Sequence, residues 1–252
     1  MTRPVTLITG ASAGLGAEFA RQCSARGEAL ALVARRRDRL EALKAELGGD
    51  IHIFAADLSP PGAAQSLIAE VEAEGLNVAT LINNAGFGLA GKFADRPLDR
   101  QSEMIDLNCR ALVELCHLVL PAMRAAGRGA ILNVASTAAF QPGPNMAVYY
   151  ATKAFVLSFT EALHHELKGT GIRVSALCPG PTHSEFSDVA DSHSPTLERM
   201  KMPAAPVVRA GLAGLDANKA VVIPGFKNKV GAQASRFLTR AAMRGIIGRI
   251  KV

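Results

Sequence analysis

The sequence predicts an α/β fold in which one doubly wound, central parallel sheet of about seven strands is flanked by helices. Short apolar runs alternate with longer segments of helical periodicity, and repeated strand-then-helix units give parallel strands joined by right-handed crossovers. The runs are apolar throughout rather than alternating, which indicates strands covered on both faces. With 252 residues, 49% of them hydrophobic, a single domain over residues 1–252 is predicted.

Seven segments carry the strand signal, and helical stretches lie between them. The predicted strands are 5–9, 29–34, 51–56, 78–83, 130–136, 172–178 and 220–224. The least regular part of the chain, residues 179–206, is rich in Pro, Ser and Asp and predicts a long loop with some short helix. So long an irregular segment in a regular domain is typical of a substrate loop.

Composition narrows the classes of site that the chain can carry. Its 28 basic and 22 acidic residues give a formal charge of +6, which suits an anionic ligand as readily as a nucleic acid. Neither the four cysteines nor the six histidines have metal-ligand spacing, so we expect reduced thiols and no metal. Residues 1–10 run into a strand without a signal peptide, and no apolar stretch reaches the roughly 20 residues that span a bilayer, so a cytoplasmic protein is expected.

The first predicted strand runs into the glycine-rich stretch TGASAGLG, residues 9–16. Glycines at such a turn let the backbone approach a phosphate, and the following helix N-terminus offers free N–H groups to the anion. The spacing G-x-x-x-G-x-G departs from the common fingerprint G-x-G-x-x-G, and a glycine turn without a ligand is the alternative interpretation. The residues predicted to bind a cofactor here are Gly10, Ser12, Gly14, Leu15 and Gly16.

Three arginines follow the second strand, where many NAD-binding domains place an acidic residue for the ribose 2′-hydroxyl. A guanidinium in that place suits the 2′-phosphate of NADP(H), because it donates two hydrogen bonds to phosphate oxygens. Arg35 is nearest the strand end and is predicted to make this contact. A solvated start to the next helix is the alternative, which fits Arg37 and leaves Arg36 open.

The only two tyrosines of the chain, Tyr149 and Tyr150, stand side by side ahead of Lys153. On a helix that turns 100° per residue, Lys153 lies about 40° from Tyr149 and about 60° from Tyr150, so spacing favours Tyr149 only weakly. A nearby ammonium favours the phenolate and brings a tyrosine pKa toward the working range, so such a pair can act as an acid/base unit. An ordinary, partly buried helix face is the alternative.

Taken together, these and other motifs resemble the classical short-chain dehydrogenases/reductases, in the order of that family and over nearly the whole chain. The matching motifs are T-G-x-x-x-G-x-G at 9–16, Asp57-Leu58, the NNAG stretch at 83–86, Asn108, Ser136, Y-x-x-x-K at 149–153 and Pro179-Gly180. The family usually places its catalytic serine 13 residues before its tyrosine, and 149 minus 136 is 13. The resemblance therefore selects Tyr149 and leaves Tyr150 as a packing residue.

The resemblance implies a Rossmann-type domain that binds NADP(H) and transfers a hydride between the nicotinamide and a carbonyl or secondary alcohol. Tyr149 would be the general acid/base, Ser136 would hold the carbonyl oxygen, and Lys153 would lower the pKa of Tyr149 and bind the nicotinamide ribose. Asn108 would hold a water that relays protons through Lys153. The further cofactor contacts implied are Asp57 and Leu58 at the adenine, Asn84, Ala85 and Gly86 on the adenosine side, and Pro179, Gly180 and Thr182 at the nicotinamide, with Ser184 competing with Thr182 for the carboxamide.

The same resemblance leaves the substrate and part of the function open. A catalytically silent NADPH-binding regulatory protein is the alternative, although such a protein would be expected to lose Ser136 or Tyr149. The substrate is expected to be a small carbonyl or alcohol compound: a 3-oxoacyl ester, a 3-hydroxy acid, a steroid-like ketone or an aldehyde. Long helices around 100–126 and 147–168 would pack a homodimer or homotetramer. The apolar residues expected to shape the pocket are Phe87, Phe140 and Met146.

The C-terminal segment, residues 226–252, is basic, and no acidic residue follows Asp216. Arg236, Arg240 and Arg244 repeat every four residues beside apolar neighbours, which predicts an amphipathic helix. A solvated or subunit-packing helix is one interpretation, and binding to an anionic membrane surface is the other. A nucleic-acid partner is not expected, because aromatic residues that stack on bases are nearly absent there.

Overall fold

The computed structural model describes residues 2–192, 198–234 and 237–248. Its strands are β1 (Arg3–Thr9), β2 (Leu30–Ala34), β3 (Ile51–Ala55), β4 (Leu76–Asn83), β5 (Gly129–Val134), β6 (Ile172–Leu177) and β7 (Val221–Val222). They form one parallel sheet in the order β3-β2-β1-β4-β5-β6-β7. Each of the seven predicted strands is confirmed, and no strand end differs by more than two residues from its prediction.

Helices connect the strands and cover both faces of the sheet. They are α1 (Gly14–Ala25), α2 (Arg37–Leu47), α3 (Ala63–Ala73), α4 (Leu98–Ile105), α5 (Leu112–Ala126), α6 (Ala147–Glu166), α7 (Phe186–Val189), α8 (Ala204–Asp216), α9 (Phe226–Ala234) and α10 (Arg240–Gly248). The predicted loop 179–206 contains α7, and its last three residues belong to α8. The middle of this loop, residues 193–197, lies outside the described residues.

Consecutive strand residues pack on opposite faces of the sheet. Leu7 of β1 packs in the core cluster formed with α3, α5 and α6, whereas its neighbour Ile8 packs in the cluster formed with α1, α2 and α8. Both side chains are fully buried. Because both faces are covered, the strands have no polar alternation, which explains their continuous apolar runs.

The strand order reverses between β1 and β4, which pair with each other at the centre of the sheet. The loops after these two strands leave in the same direction and to opposite sides, so they open a crevice at the carboxyl edge. Ligands of open α/β sheets bind in such a crevice.

A π-helical segment, Asp106–Ala111, joins α4 to α5. It contains Asn108, whose side chain is buried. Wider turns of this kind are rare within α-helices and are often found at functional sites. The sequence predicts a helix through this region and carries no signal for the change of pitch.

The C-terminal helix differs from its prediction. Phe237 and Leu238 precede α10 rather than lying on it, and Arg236 lies outside the described residues. α10 begins at Arg240, and its buried side is formed by Met243 and Ile247, four residues apart on one helix face. Within the ranges that the structure describes, every helix is too short or too polar to cross a membrane.

Candidate active site

A cavity of about 850 Å³ occupies the crevice at the carboxyl edge of the sheet. Its volume suits an elongated ligand such as a dinucleotide with a substrate beside it. Most of the predicted site residues line it: Gly10, Ser12, Gly14, Leu15, Arg35, Asp57, Leu58, Asn84, Ala85, Gly86, Ser136, Tyr149, Lys153, Pro179, Gly180 and Thr182. Gly16 and Asn108 lie behind the cavity wall, where their contacts support lining residues.

The glycine turn lies between β1 and α1 and is shaped by close backbone packing. Gly10 and Gly14 have φ of +66° and +54°, a left-handed conformation that favours glycine. A Cβ on Gly10 would lie 2.9 Å from the Cα of Ala85, and one on Gly16 would collide with the Gly10 carbonyl. No side chain caps the start of α1, so its first N–H groups stay available to an anion.

Thr9, the last residue of β1, fastens this turn to the loop after β4. Its hydroxyl accepts hydrogen bonds from the backbone N–H groups of Asn84 at 3.0 Å and Ala85 at 2.9 Å. The Asn84 side-chain amide donates in return to the Thr9 carbonyl at 2.9 Å and the Gly10 carbonyl at 3.2 Å. The two loops on either side of the reversal in strand order are thus held as one rigid wall.

The side chains of the arginines after β2 point to different partners. Arg35 is 62% exposed and its guanidinium lies 3.7 Å from the Glu103 carboxylate. Arg36 instead donates to the Ser12 hydroxyl of the glycine turn at 3.1 Å. Both line the cavity, but the contact with Ser12 puts Arg36 beside the turn that would hold phosphate. Sequence reasoning favoured Arg35 because it is nearest the strand end, but three consecutive arginines give no signal for their side-chain directions.

Asp57 begins the loop after β3 and lines the same end of the cavity. Its carboxylate accepts a hydrogen bond from the backbone N–H of Ser59 at 2.9 Å. This local bond fixes the turn that positions both Asp57 and Leu58 at the cavity.

The opposite end of the cavity brings Ser136 and Tyr149 together. Ser136 follows β5, and its hydroxyl accepts from the Ala138 N–H at 3.1 Å and donates to the Pro179 carbonyl at 3.5 Å. Tyr149 lies on the first turn of α6 and is buried. Burial raises the pKa of Tyr149 to about 12, and a hydrogen bond with Ser136 acts in the opposite direction. The phenol is therefore held in its protonated form beside the Ser136 hydroxyl.

Lys153, one turn further along α6, completes this group. Its side chain is buried, and its ammonium donates to the Val134 carbonyl at the end of β5 at 2.8 Å and lies 5.9 Å from the centre of the Tyr149 ring. Burial lowers the pKa of Lys153 to about 8, because a low-dielectric environment disfavours the charged form. Tyr150 also lines the cavity, and its ring packs on Gly143 and lies edge-on to the Tyr149 ring, with centres 6.1 Å apart.

Asn108 lies behind these residues and makes three side-chain hydrogen bonds. Its carbonyl oxygen accepts from the Phe87 N–H at 3.1 Å, and its amide donates to the Phe87 carbonyl at 3.0 Å and the Thr152 hydroxyl at 3.1 Å. A Cβ on Gly86 would lie 2.8 Å from the same Asn108 oxygen. Asn108 therefore ties the loop after β4 to the residue that precedes Lys153.

The loop after β6 crosses the cavity and contacts both of its ends. Thr182 turns inward to its own loop and donates to the Gly180 carbonyl at 2.9 Å. Ser184 lies against the glycine turn, since a Cβ on Gly14 would be 2.8 Å from the Cβ of Ser184. Phe186 packs on Tyr149 with ring centres 5.2 Å apart. The sequence predicted that this loop lies at the site, but it gave no signal for Phe186, because its contact partner Tyr149 is distant along the chain.

Apolar residues of the C-terminal part lie toward the Tyr149 end of the cavity, since a Cβ on Gly248 of α10 would be 3.5 Å from Pro144, just before α6. Leu238, Met243, Ile246 and Ile247 line the cavity, whereas Arg240 is exposed on the outer side. Phe87 and Met146 line the cavity as predicted, whereas Phe140 is partly buried and packs against the core cluster beside the sheet. Among the described residues, no group of acidic, His and Cys side chains could hold a metal ion.

Comparisons with known proteins agree with this geometry. A family model described as short chain dehydrogenase matches residues 4–194. A sulfoacetaldehyde reductase of Chromohalobacter salexigens is 42% identical over 185 residues, which cover 71% of this chain and 73% of the relative. An NADP-dependent 3-hydroxy acid dehydrogenase, YdfG of Escherichia coli O157:H7, is 37% identical over 187 residues, covering 73% of this chain and 75% of the relative.

A solved structure is similar to this chain over nearly its whole length. It is a short-chain dehydrogenase from Sphingobium yanoikuyae in complex with NADPH, with a TM-score of 0.83 and 34% identity, covering 98% of this chain and 96% of that one. The residues of this chain fit such a cofactor: the glycine turn leaves room for a backbone approach to phosphate, and Arg36 with Ser12 offers donors beside it.

Proposed function

Since the chain belongs to the short-chain dehydrogenase/reductase family, we propose that it interconverts a carbonyl compound and a secondary alcohol with NADP(H) as cofactor and Tyr149 as general acid/base. One observation carries the proposal. Buried Tyr149 and the Ser136 hydroxyl line the same cavity, and the ammonium of Lys153 lies 5.9 Å from the centre of the Tyr149 ring. An acid, an oxygen-binding hydroxyl and a cation thus converge where a carbonyl would bind.

Each residue has a distinct task in the proposed mechanism. NADPH, when bound, supplies the hydride. Reduction builds negative charge on the carbonyl oxygen, so Tyr149 donates its phenolic proton to that oxygen. Ser136 donates a hydrogen bond to the same oxygen and orients it toward the phenol. Lys153 stabilises the phenolate left behind, because its ammonium is close to the ring.

Asn108 serves this mechanism as a positioning residue. It fixes Phe87 and Thr152 through its side chain, and Thr152 precedes Lys153 on α6. We include in the proposal a water held by Asn108 that returns a proton through Lys153 to Tyr149. The π-helical segment around Asn108 gives this residue a backbone geometry that differs from an ordinary helix.

At the cofactor end, the proposal assigns the 2′-phosphate of NADP(H) to the arginines after β2. Arg36 and Ser12 offer donors from two loops at one point, and Arg35 lines the cavity beside them. Asp57 and Leu58 would meet the adenine. Pro179, Gly180 and either Thr182 or Ser184 would flank the nicotinamide.

We further propose that the substrate carries hydrophobic bulk beside its carbonyl group. The family match ends at residue 194, and the C-terminal residues toward the Tyr149 end of the cavity lie beyond it. These are Leu238, Met243, Ile246 and Ile247, all of them apolar. The similar proteins are named for sulfoacetaldehyde and 3-hydroxy acids, and this apolar part of the chain would set a different preference.

The proposal is tested by following NADPH absorbance with a panel of carbonyl compounds. The panel contains 3-oxoacyl esters, steroid-like ketones, bulky aryl ketones and small aldehydes. We expect turnover to be fastest with the ketones that carry apolar groups. Tight NADPH binding without turnover of any member would contradict the proposal and support the alternative of a catalytically silent NADPH-binding regulatory protein.

The oligomeric state is proposed separately, from exposed apolar side chains. The outer faces of α4 and α6 expose apolar side chains, Ile105 among them, and Phe155 stacks on Phe159 with ring centres 6.1 Å apart. We propose that these helices pack a homodimer or homotetramer. Light scattering during size-exclusion chromatography would measure the mass, and a monomer would contradict the proposal.

A further inference from the structure

The carboxylate of Glu185, on the loop after β6, binds two arginines of the cofactor end. One of its oxygens accepts from the guanidinium of Arg36 at 2.8 Å, and the other accepts from the guanidinium of Arg39 at 2.8 Å. Arg36 donates at the same time to the Ser12 hydroxyl at 3.1 Å. The Glu185 carboxylate thus binds the Arg36 guanidinium beside the glycine turn, although the two residues are 149 positions apart in the sequence.

A carboxylate and a phosphate bind a guanidinium in the same way. Each presents two oxygens to the N–H fork of arginine, and each forms charge-assisted hydrogen bonds with it. The neighbouring arginines hold the pKa of the Glu185 carboxyl below its ordinary value, so this anion is present at neutral pH. A 2′-phosphate at Arg36 would have to share or replace the bond to Glu185, and the two anions would repel each other.

We propose that Glu185 competes with the 2′-phosphate for Arg36 and thereby determines how strongly NADPH is preferred over NADH. This inference rests on the proposed function, which assigns the 2′-phosphate to Arg36 and Ser12. NADH lacks the phosphate, so its binding leaves the bond between Glu185 and Arg36 intact. The competition therefore weakens NADPH binding selectively, and Glu185 restrains a preference that the arginines create.

The expected magnitude follows from the exposure of the pair. The side chains of Arg36 and Glu185 are 43% and 39% exposed, so solvent screens their attraction, and such pairs contribute little individually. Removing the carboxylate also removes its repulsion of the phosphate. We expect the combined effect on the NADPH dissociation constant to be about fivefold.

The test measures dissociation constants by isothermal titration calorimetry for NADPH, NADH and 2′,5′-ADP, a probe that has the phosphate but no nicotinamide. The variants are Glu185→Gln, which keeps the shape without the charge, and Glu185→Ala, which also removes the hydrogen-bond acceptor. Asp188→Asn is the matched control, because Asp188 is an exposed carboxylate three residues further along the same loop. Circular dichroism establishes that each variant is folded.

Both Glu185 variants should bind NADPH and 2′,5′-ADP about fivefold more tightly than the wild type, with NADH unchanged and Asp188→Asn without effect. Unchanged or weaker NADPH binding would overturn the inference, as would equal tightening of NADH. An equal gain in Asp188→Asn would also overturn it, because general charge would then explain the effect. A wild type that binds neither dinucleotide would overturn the proposed function as well. Tight NADPH binding that is the same in the wild type and in the Glu185 variants would overturn this inference alone.

Discussion

Raising the pH through 8 should remove most of the carbonyl-reducing activity by neutralising Lys153. Burial lowers the pKa of this lysine to about 8, so roughly nine-tenths of the molecules carry the ammonium at pH 7 and roughly one-tenth at pH 9. Tyr149 keeps its proton over this range, because burial raises its pKa to about 12. The proton donor is thus present throughout, and the loss of the cation should lower kcat/KM for reduction about tenfold between pH 7 and pH 9.

The assay is steady-state NADPH oxidation with saturating cofactor in buffers of constant ionic strength. The control is Lys153→Arg, because a guanidinium stays protonated at every pH used. This variant should be slower than the wild type, yet its kcat/KM should stay flat from pH 7 to pH 9. A wild type with a flat profile would refute the assignment of the charge to Lys153, and an unchanged alkaline fall in Lys153→Arg would assign it to another group.

Three further substitutions test the site. Tyr149→Phe should reduce carbonyl reduction by roughly 10²- to 10⁴-fold because the proton donor is gone, while NADPH titration stays unchanged and Tyr150→Phe keeps substantial activity; a dead Tyr150→Phe would reverse the assignment. Gly14→Val should abolish NADPH binding in a folded protein, whereas Gly27→Val, which has the same strained backbone in open space, should lose stability and keep the binding measured by calorimetry. Arg36→Ala should weaken NADPH about tenfold with little change in NADH, and this preference should shrink at high salt; equal losses for the two cofactors would contradict it.

The strands and the proximity of Tyr149 to Lys153 could be predicted because their signals are local. Seven buried strands give seven apolar runs, and Tyr149 and Lys153 lie within one turn of a single helix. The side-chain directions of Arg35 and Arg36 could not be predicted, since they depend on where β2 ends and α2 begins. The bond from Arg36 to Glu185 joins residues that are far apart in sequence, and no local pattern carries that information. The π-helical segment was missed because its residues have ordinary helix propensities.

Three consecutive residues of the loop after β6 contact both ends of the cavity. Ser184 lies at the glycine turn, Glu185 binds Arg36, and Phe186 packs on Tyr149. Neighbouring Cα atoms are only about 3.8 Å apart, so a displacement of Glu185 by several ångströms carries Phe186 with it. Under the proposed function, a loop movement that releases the nucleotide would therefore also change the access of a carbonyl compound to Tyr149.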